Sequence, residues 1–206
     1  MKFYTYGKKE NPAILLLPGT CCHWKKNYWH PIRRSEACDK EKCIMKMIVG
    51  IVLYSLFFVM CYIGTGTDKK NMGGFRSYPD EVQKRVYEDA VLGSLAPKKC
   101  SVPIALISNF IMFTSIFSVI GILLKDILYI ADFQSAFLYF IILGEGLNLF
   151  DLVVIDLLWW RNSSRIRFSC VPEKEAYQNP KKHIDSFVRG IFTFVAVALL
   201  TALIVS

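Results

Sequence analysis

The sequence has no C-x-x-C pair, no G-x-S-x-G turn, no internal repeat and no Ala-x-Ala cleavage pattern behind its first apolar run. Each absence removes something. Without C-x-x-C spacing, the strongest zinc signature is missing. Without a nucleophile elbow, serine-type acyl transfer lacks the serine that an Asp and a His would serve. Without a cleavage pattern, the first apolar run does not read as a removable signal peptide. Without repeats, the paired halves of many carriers are lacking. Cysteine is present, but seven is an odd number and Cys61 lies inside an apolar run, which argues against a disulfide framework. No stretch resembles a nucleic-acid module, so the net charge of +8 points to anionic headgroups rather than to nucleic acid.

What the chain does have is apolar length. Of its 206 residues 53% are hydrophobic and only 20% charged, and the apolar ones are gathered in runs at 44–63, 102–124, 133–160 and 187–205. The third run holds 28 residues, a rise of roughly 42 Å as a helix against a hydrocarbon core of about 30 Å. The expected fold is an all-α membrane protein with about four transmembrane helices over residues 44–206. Residues 1–43 form a short β-like or irregular appended segment.

The third run carries the chemistry. Glu145, Asn148, Asp151 and Asp156 interrupt it, and Trp159 and Trp160 close it in front of Arg161, Arg165 and Arg167. Tryptophan suits the headgroup layer, and the arginines mark that end as cytoplasmic. A charged carboxylate at mid-span costs about 3 kcal/mol or more, so Glu145 must be protonated, paired or turned to a wet cavity. On a regular helix Glu145, Leu149, Leu152 and Asp156 share a face. Spans two and three should form a hairpin that lets Thr114 or Ser115 reach Glu145. Span two also carries Ser108, Asn109 and Ser118. Spans three and four should form a second hairpin, with Asp156 and Arg189 at one depth and paired as ions. His183 and Asp185 stand just before the fourth span.

The loops are basic. Residues 64–101 hold seven Lys or Arg, residues 161–186 hold six, and the turn near Lys125 holds one. The asymmetry puts both basic loops in the cytoplasm and both ends of the chain outside. The nine Lys or Arg of residues 1–43 conflict with that count, and a start at Met45 or Met47 would remove the conflict. In the first loop Ser77 is expected to cap a helix with Pro79 in its first turn. Asp80–Lys84, Glu81–Arg85 and Arg85–Asp89 are spaced as ion pairs, and Val82, Val86 and Ala90 make a narrow stripe. That spacing predicts a short surface helix, either a solvated connector or one lying on the membrane.

Two stretches carry resemblances. MKFYTYGKKENPAILLLPGTCCHW resembles the start of an α/β-hydrolase, where a first hairpin leads into an oxyanion loop, here residues 18–22. The likeness covers about 30 residues and implies a truncated fragment. From Met45 the chain resembles small bacterial membrane proteins of uncharacterised function. That likeness rests on NMGGFRSYPDEVQKRV, on FDLVVIDLLWW with Arg165-Ile166-Arg167, and on His183. Cys21, Cys22, His23, His30, Cys38 and Cys43 are zinc-capable, but adjacent cysteines rarely both ligate. The alternative for this stretch is an unstructured basic tail.

No catalytic constellation and no cofactor motif emerges. The leading expectation is a non-enzymatic accessory or scaffold of the cytoplasmic membrane, with the bilayer, anionic headgroups and a membrane-protein partner or second copy as its contacts. One alternative is a small ion-coupled carrier using Glu145 and Asp151. Another is a membrane enzyme at the cytoplasmic interface with Asp151, Asp156 and His183.

Overall fold

A computed structural model describes residues 21–97 and 102–206, and only the backbone of residues 21–39 and Val102. The hairpin expected at the start of the chain and most of its oxyanion loop lie outside the described residues. The chain divides into two compact units, Met1–Ile44 and Met45–Ser206. In the first unit, residues 21–43 are not an irregular tail, since helix α1 (Cys21–Ile63) opens there. Glu36, Ala37, Lys40, Glu41 and Lys42 are strong helix formers, which is enough to carry the helix through this charged stretch.

Four helical stretches are long and apolar enough to cross a membrane: Lys40–Ile63, Pro103–Leu128, Phe133–Asn162 and Lys174–Val205. They belong to α1, α5 (Val102–Leu128), α6 (Phe133–Phe150) with its continuation, and α7 (Lys181–Val205). Ile51, Leu56 and Met60 on α1, and Ile107, Ile111, Ile122 and Leu123 on α5, are exposed. In water such a surface would be an aggregation hazard, whereas acyl chains suit it. The protein is accordingly a multi-pass membrane protein.

Inside the bundle α7 packs on both α6 and α5. Phe117, Phe140, Leu143, Leu147, Phe194, Val197 and Ala198 form its core. Lipid tails are as apolar as leucine, so close packing rather than water expulsion holds these helices together. Small residues set the approach. A Cβ on Gly144 would lie 2.7 Å from the Phe194 ring, and one on Gly190 would collide with Asn148 Oδ1. Asn148 Nδ2 donates to the Phe187 carbonyl at 3.1 Å, tying α6 to α7. Tyr54 on α1 donates to the Leu143 carbonyl at 3.0 Å.

The turn between α5 and α6 is short, as expected of a hairpin. Tyr129 adopts a left-handed φ of 53°. Asp132 caps α6 by accepting from the Ser135 amide at 2.8 Å, while Ser135 Oγ accepts from the Asp132 amide at 3.2 Å. The Ser135 backbone and hydroxyl hydrogen bonds hold the Asp132 carboxyl below its ordinary value. At this same end Lys125 Nζ donates to the carbonyls of Val205 (2.7 Å) and Ser206 (3.1 Å). A cation there satisfies free carbonyls and favours the negative pole of α7.

The two basic loops are not solvated connectors. They fold together into a cap with a core of its own, made of Phe75, Tyr78, Val82, Val86, Trp160, Ile166, Phe168, Val171 and Tyr177. The first loop contributes α2 (Asp68–Asn71), a 3₁₀ turn (Met72–Ser77), α3 (Asp80–Glu88) and α4 (Leu92–Leu95). Val82 and Val86 are fully buried, so α3 lies on the second loop rather than on a membrane. Ala90 falls beyond the helix and is exposed. Pro79, not Ser77, occupies the cap position of α3 and offers no side-chain cap. Arg85 pairs with Glu81 at 2.8 Å as expected, and also meets Glu173 at 3.4 Å across the loops. Asp80 pairs with Lys182 at 2.6 Å rather than with Lys84, which faces Glu88 at 3.9 Å. Asp89 does not pair with Arg85. Its carboxylate accepts from the amides of Val91 and Leu92 and starts α4.

Candidate functional site

The polar residues of the third span converge where it leaves the bundle for the cap. From Asp151 to Trp159 the backbone is a π-helix, with i→i+5 hydrogen bonds in place of i→i+4. The β-branched run Val153-Val154-Ile155 weakens the preference for an ordinary α-turn. Wider turns put Asp156 beneath Asp151, five residues on, and change the face each side chain takes. The single face expected for Glu145, Leu149, Leu152 and Asp156 assumed a regular helix and is corrected on this account.

Asp156 Oδ2 lies 2.9 Å from His183 Nδ1, with the histidine 3% and the aspartate 16% exposed. The expected Asp156–Arg189 pair is not formed. The π-turns rotate Asp156 toward the first turn of α7, where His183 stands, and Arg189 lies six residues further along. The Trp160 ring sits 4.8 Å from the imidazole, edge to face, and 4.7 Å from Tyr78. Trp160 is therefore a core residue of the cap, whereas Trp159 leans on Phe58 and Tyr62 of α1. His183 Nε2 is buried without a hydrogen-bond partner. Asp151 lies within electrostatic reach of both Asp156 and His183.

Glu145 stands apart from this cluster. Its Oε1 is shielded and has no hydrogen-bond partner. The expected help from span two does not come, because Ser115 Oγ donates to its own helix at Ile111 and Thr114 Oγ1 is itself buried without a partner.

Beside the cluster lies a half-open cleft of about 860 Å³. The cap forms its outer wall through Gly73–Ser77, α5 lines it with Ser108 and Asn109, and α7 with Asp185 and Arg189. Asn148 and Asp151 face it from α6. Its inner end is apolar, at Phe57, Phe113, Leu147 and Phe194. Of the residues singled out in the sequence, the structure gathers Asn148, Asp151 and Arg189 here. It gives Asp156 and His183 to the cap junction and leaves Glu145 deeper in the bundle. Ser108 and Asn109 show in the sequence only as polar interruptions of span two, Asp185 stands before the fourth span at i,i+4 spacing to Arg189, and wall residues 73–77 fall in a loop that looks polar.

The cap is tied down by a second polar device. Arg165 donates to the carbonyls of Tyr62 (3.3 Å) and Thr65 (3.1 Å) and lies 4.0 Å over the Tyr62 ring. Gly66, at φ 109°, lets the guanidinium approach, since a Cβ there would meet it at 2.7 Å. Asp68 accepts from the Ser169 amide at 3.0 Å and hydroxyl at 2.6 Å. Tyr78, fully buried, donates to the Ile166 carbonyl at 2.7 Å. Burial, with Tyr177 and Asp68 nearby, pushes the Tyr78 hydroxyl well above its ordinary value.

Among the described residues no three His, Cys, Asp or Glu side chains converge as a metal site. The side chains of Cys21, Cys22, His23, His30 and Cys38 lie outside the described residues, and Cys43 is an exposed free thiol. Comparison of the chain with protein-family models, curated proteins and solved structures gives no match.

Proposed function

We propose that this multi-pass protein is a non-enzymatic accessory or scaffold of the cytoplasmic membrane, with its cap on the cytoplasmic face. One observation carries this reading. The groups that would do chemistry at the interface, Asp156 and His183, are spent on joining the cap to the bundle, with the imidazole nearly sealed from solvent. The seven and six Lys or Arg of the two cap loops favour the cytoplasmic side. The resemblance of residues 45–206 to small bacterial membrane proteins underlies the choice of membrane. The long apolar faces of α1 and α5 leave room for a membrane-protein partner or a second copy.

A second reading, a small ion-coupled carrier, is favoured by Asp151 on the wall of an open cleft and by the unpartnered Glu145 Oε1. Proteoliposomes carrying a pH-sensitive dye separate the two. The scaffold reading expects no protein-dependent flux under an imposed proton or sodium gradient. Flux that disappears in Asp151→Asn or Glu145→Gln, with the fold intact, would replace it by the carrier.

A further inference from the structure

We propose that the cleft beneath the cap binds the headgroup of an amine-bearing phospholipid, of the phosphoethanolamine class. The inference stands apart from the scaffold reading, because a carrier or a scaffold could hold such a lipid. It starts from charge left unused at membrane depth. Arg189 lies eight residues into α7, about 12 Å along its axis, and is exposed on the cleft wall. Among the described residues it makes no ion pair and its guanidinium has no hydrogen bond. A free cation at that depth costs a few kcal/mol unless something answers it. Ser108 and Asn109 line the same cleft from α5, and their side chains are exposed and unbonded there. Together they offer one guanidinium, one amide and one hydroxyl to a phosphodiester.

An anion alone does not fit the cleft. Asp151 and Asp185 also line it, and among the described residues neither has an ion-pair partner within 4.0 Å, with His183 in electrostatic reach of Asp151. Two carboxylates beside a bound phosphate would repel it, whereas a primary ammonium two carbons away would meet them. The remaining cations on the rim are Arg76 and Lys182, and Lys182 is held by Asp80 at 2.6 Å. The apolar end at Phe57, Phe113 and Phe194 suits the upper part of an acyl chain. The exposed Ile104 and Ile107 beside it face the hydrocarbon from which the lipid would enter. The volume lies within the roughly 300–1,000 Å³ of small-molecule sites.

The test uses the full chain, purified in detergent and stripped of lipid, titrated by calorimetry with short-chain phosphatidylethanolamine, short-chain phosphatidylglycerol and free phosphoethanolamine. The expected order is the ethanolamine lipid tightest, the glycerol lipid at least fivefold weaker and the free headgroup weakest. Arg189→Gln should weaken the ethanolamine lipid at least tenfold, and Asp151→Asn with Asp185→Asn should abolish the preference over the glycerol lipid. Equal binding of the two lipids by the wild type, or Arg189→Gln binding within twofold of it, overturns the proposal. Free phosphoethanolamine binding as tightly as the lipid overturns the membrane source of the ligand. Should Arg189→Gln not fold, Ser108→Ala with Asn109→Ala provides the same reading from the opposite wall, with at least a threefold loss expected and no loss overturning the site.

Discussion

His183 Nδ1 and Asp156 Oδ2 stand 2.9 Å apart at the joint between α7 and the π-turns of the third span, shielded by Trp160. Removing one member of such a contact strands the other in a poorly solvated place, at a cost of about 1–3 kcal/mol. His183→Ala or Asp156→Ala should therefore lower the melting temperature of the detergent-solubilised protein sharply. Replacing both by leucine should recover much of the loss. Arg189→Ala, which breaks no pair, should melt within a few degrees of the wild type. Equal losses for Arg189→Ala and His183→Ala would refute the assignment.

The Arg165 guanidinium joins the end of α1 to the second cap loop through two carbonyls and the Tyr62 ring. Lysine keeps the charge but not the planar fork or the stacking. Arg165→Lys should cost about 1–2 kcal/mol and make the loop around residue 65 more susceptible to limited proteolysis. Gly66→Ala should do the same, since φ 109° and the adjacent guanidinium both reject a Cβ. Unchanged cleavage rates in both variants would show that the contact does not hold the cap.

Tyr78 gives the cap an alkaline limit. Its hydroxyl is raised above the ordinary value of 10.0 chiefly by burial. A raised acid favours folding while it stays protonated, so this stabilisation is complete below about pH 10 and is lost as pH climbs toward the folded value. Melting temperature should fall above pH 10, and tyrosinate absorbance should show a late step from the buried tyrosines, Tyr177 included, whose hydroxyl burial pushes up to about 12. Tyr78→Phe should shrink that late step by one tyrosine and cost about 1 kcal/mol near neutrality, because the Ile166 carbonyl loses its donor.

Gly190 and Gly144 let α6 and α7 approach. Gly190→Ala would collide with Asn148 Oδ1, and Gly144→Ala would press on the Phe194 ring. Each should cost about 1–3 kcal/mol by overpacking, read as loss of the folded monomer on mild heating in detergent. Gly73→Ala, where an added Cβ meets nothing within 4 Å, is the control expected to be silent.

Apolar run length was enough to find the four spans, because a bilayer demands about twenty apolar residues whatever the packing. The partner of Asp156 was not legible. Matching depths across a hairpin selected Arg189, but the π-turns rotate Asp156 to His183, and no residue type announces that change of register. The cap was also hidden. Phe75, Tyr78, Phe168 and Tyr177 follow no helical or strand period, and they meet only when two loops separated by two spans come together. Only the Val82–Val86 spacing points to a buried face, and the spacing alone fits a solvated connector or a helix on the membrane as well as it fits the cap. The density of aromatic residues in loops that looked polar was the signal available.

The cap has a consequence for biogenesis. Its first half, from Asp68 to Leu95, is synthesised two membrane spans before its second half, from Trp160 to Tyr177. Until the third span is threaded, Phe75, Tyr78, Val82 and Val86 have nothing to cover them. A nascent chain stalled before residue 160 should thus display a sticky aromatic surface at the face of the membrane that carries the cap, open to chaperones and proteases. Closure of the cap then reports that the hairpin of spans two and three has been inserted, so a chain that fails to thread it would leave that surface open and be marked for removal.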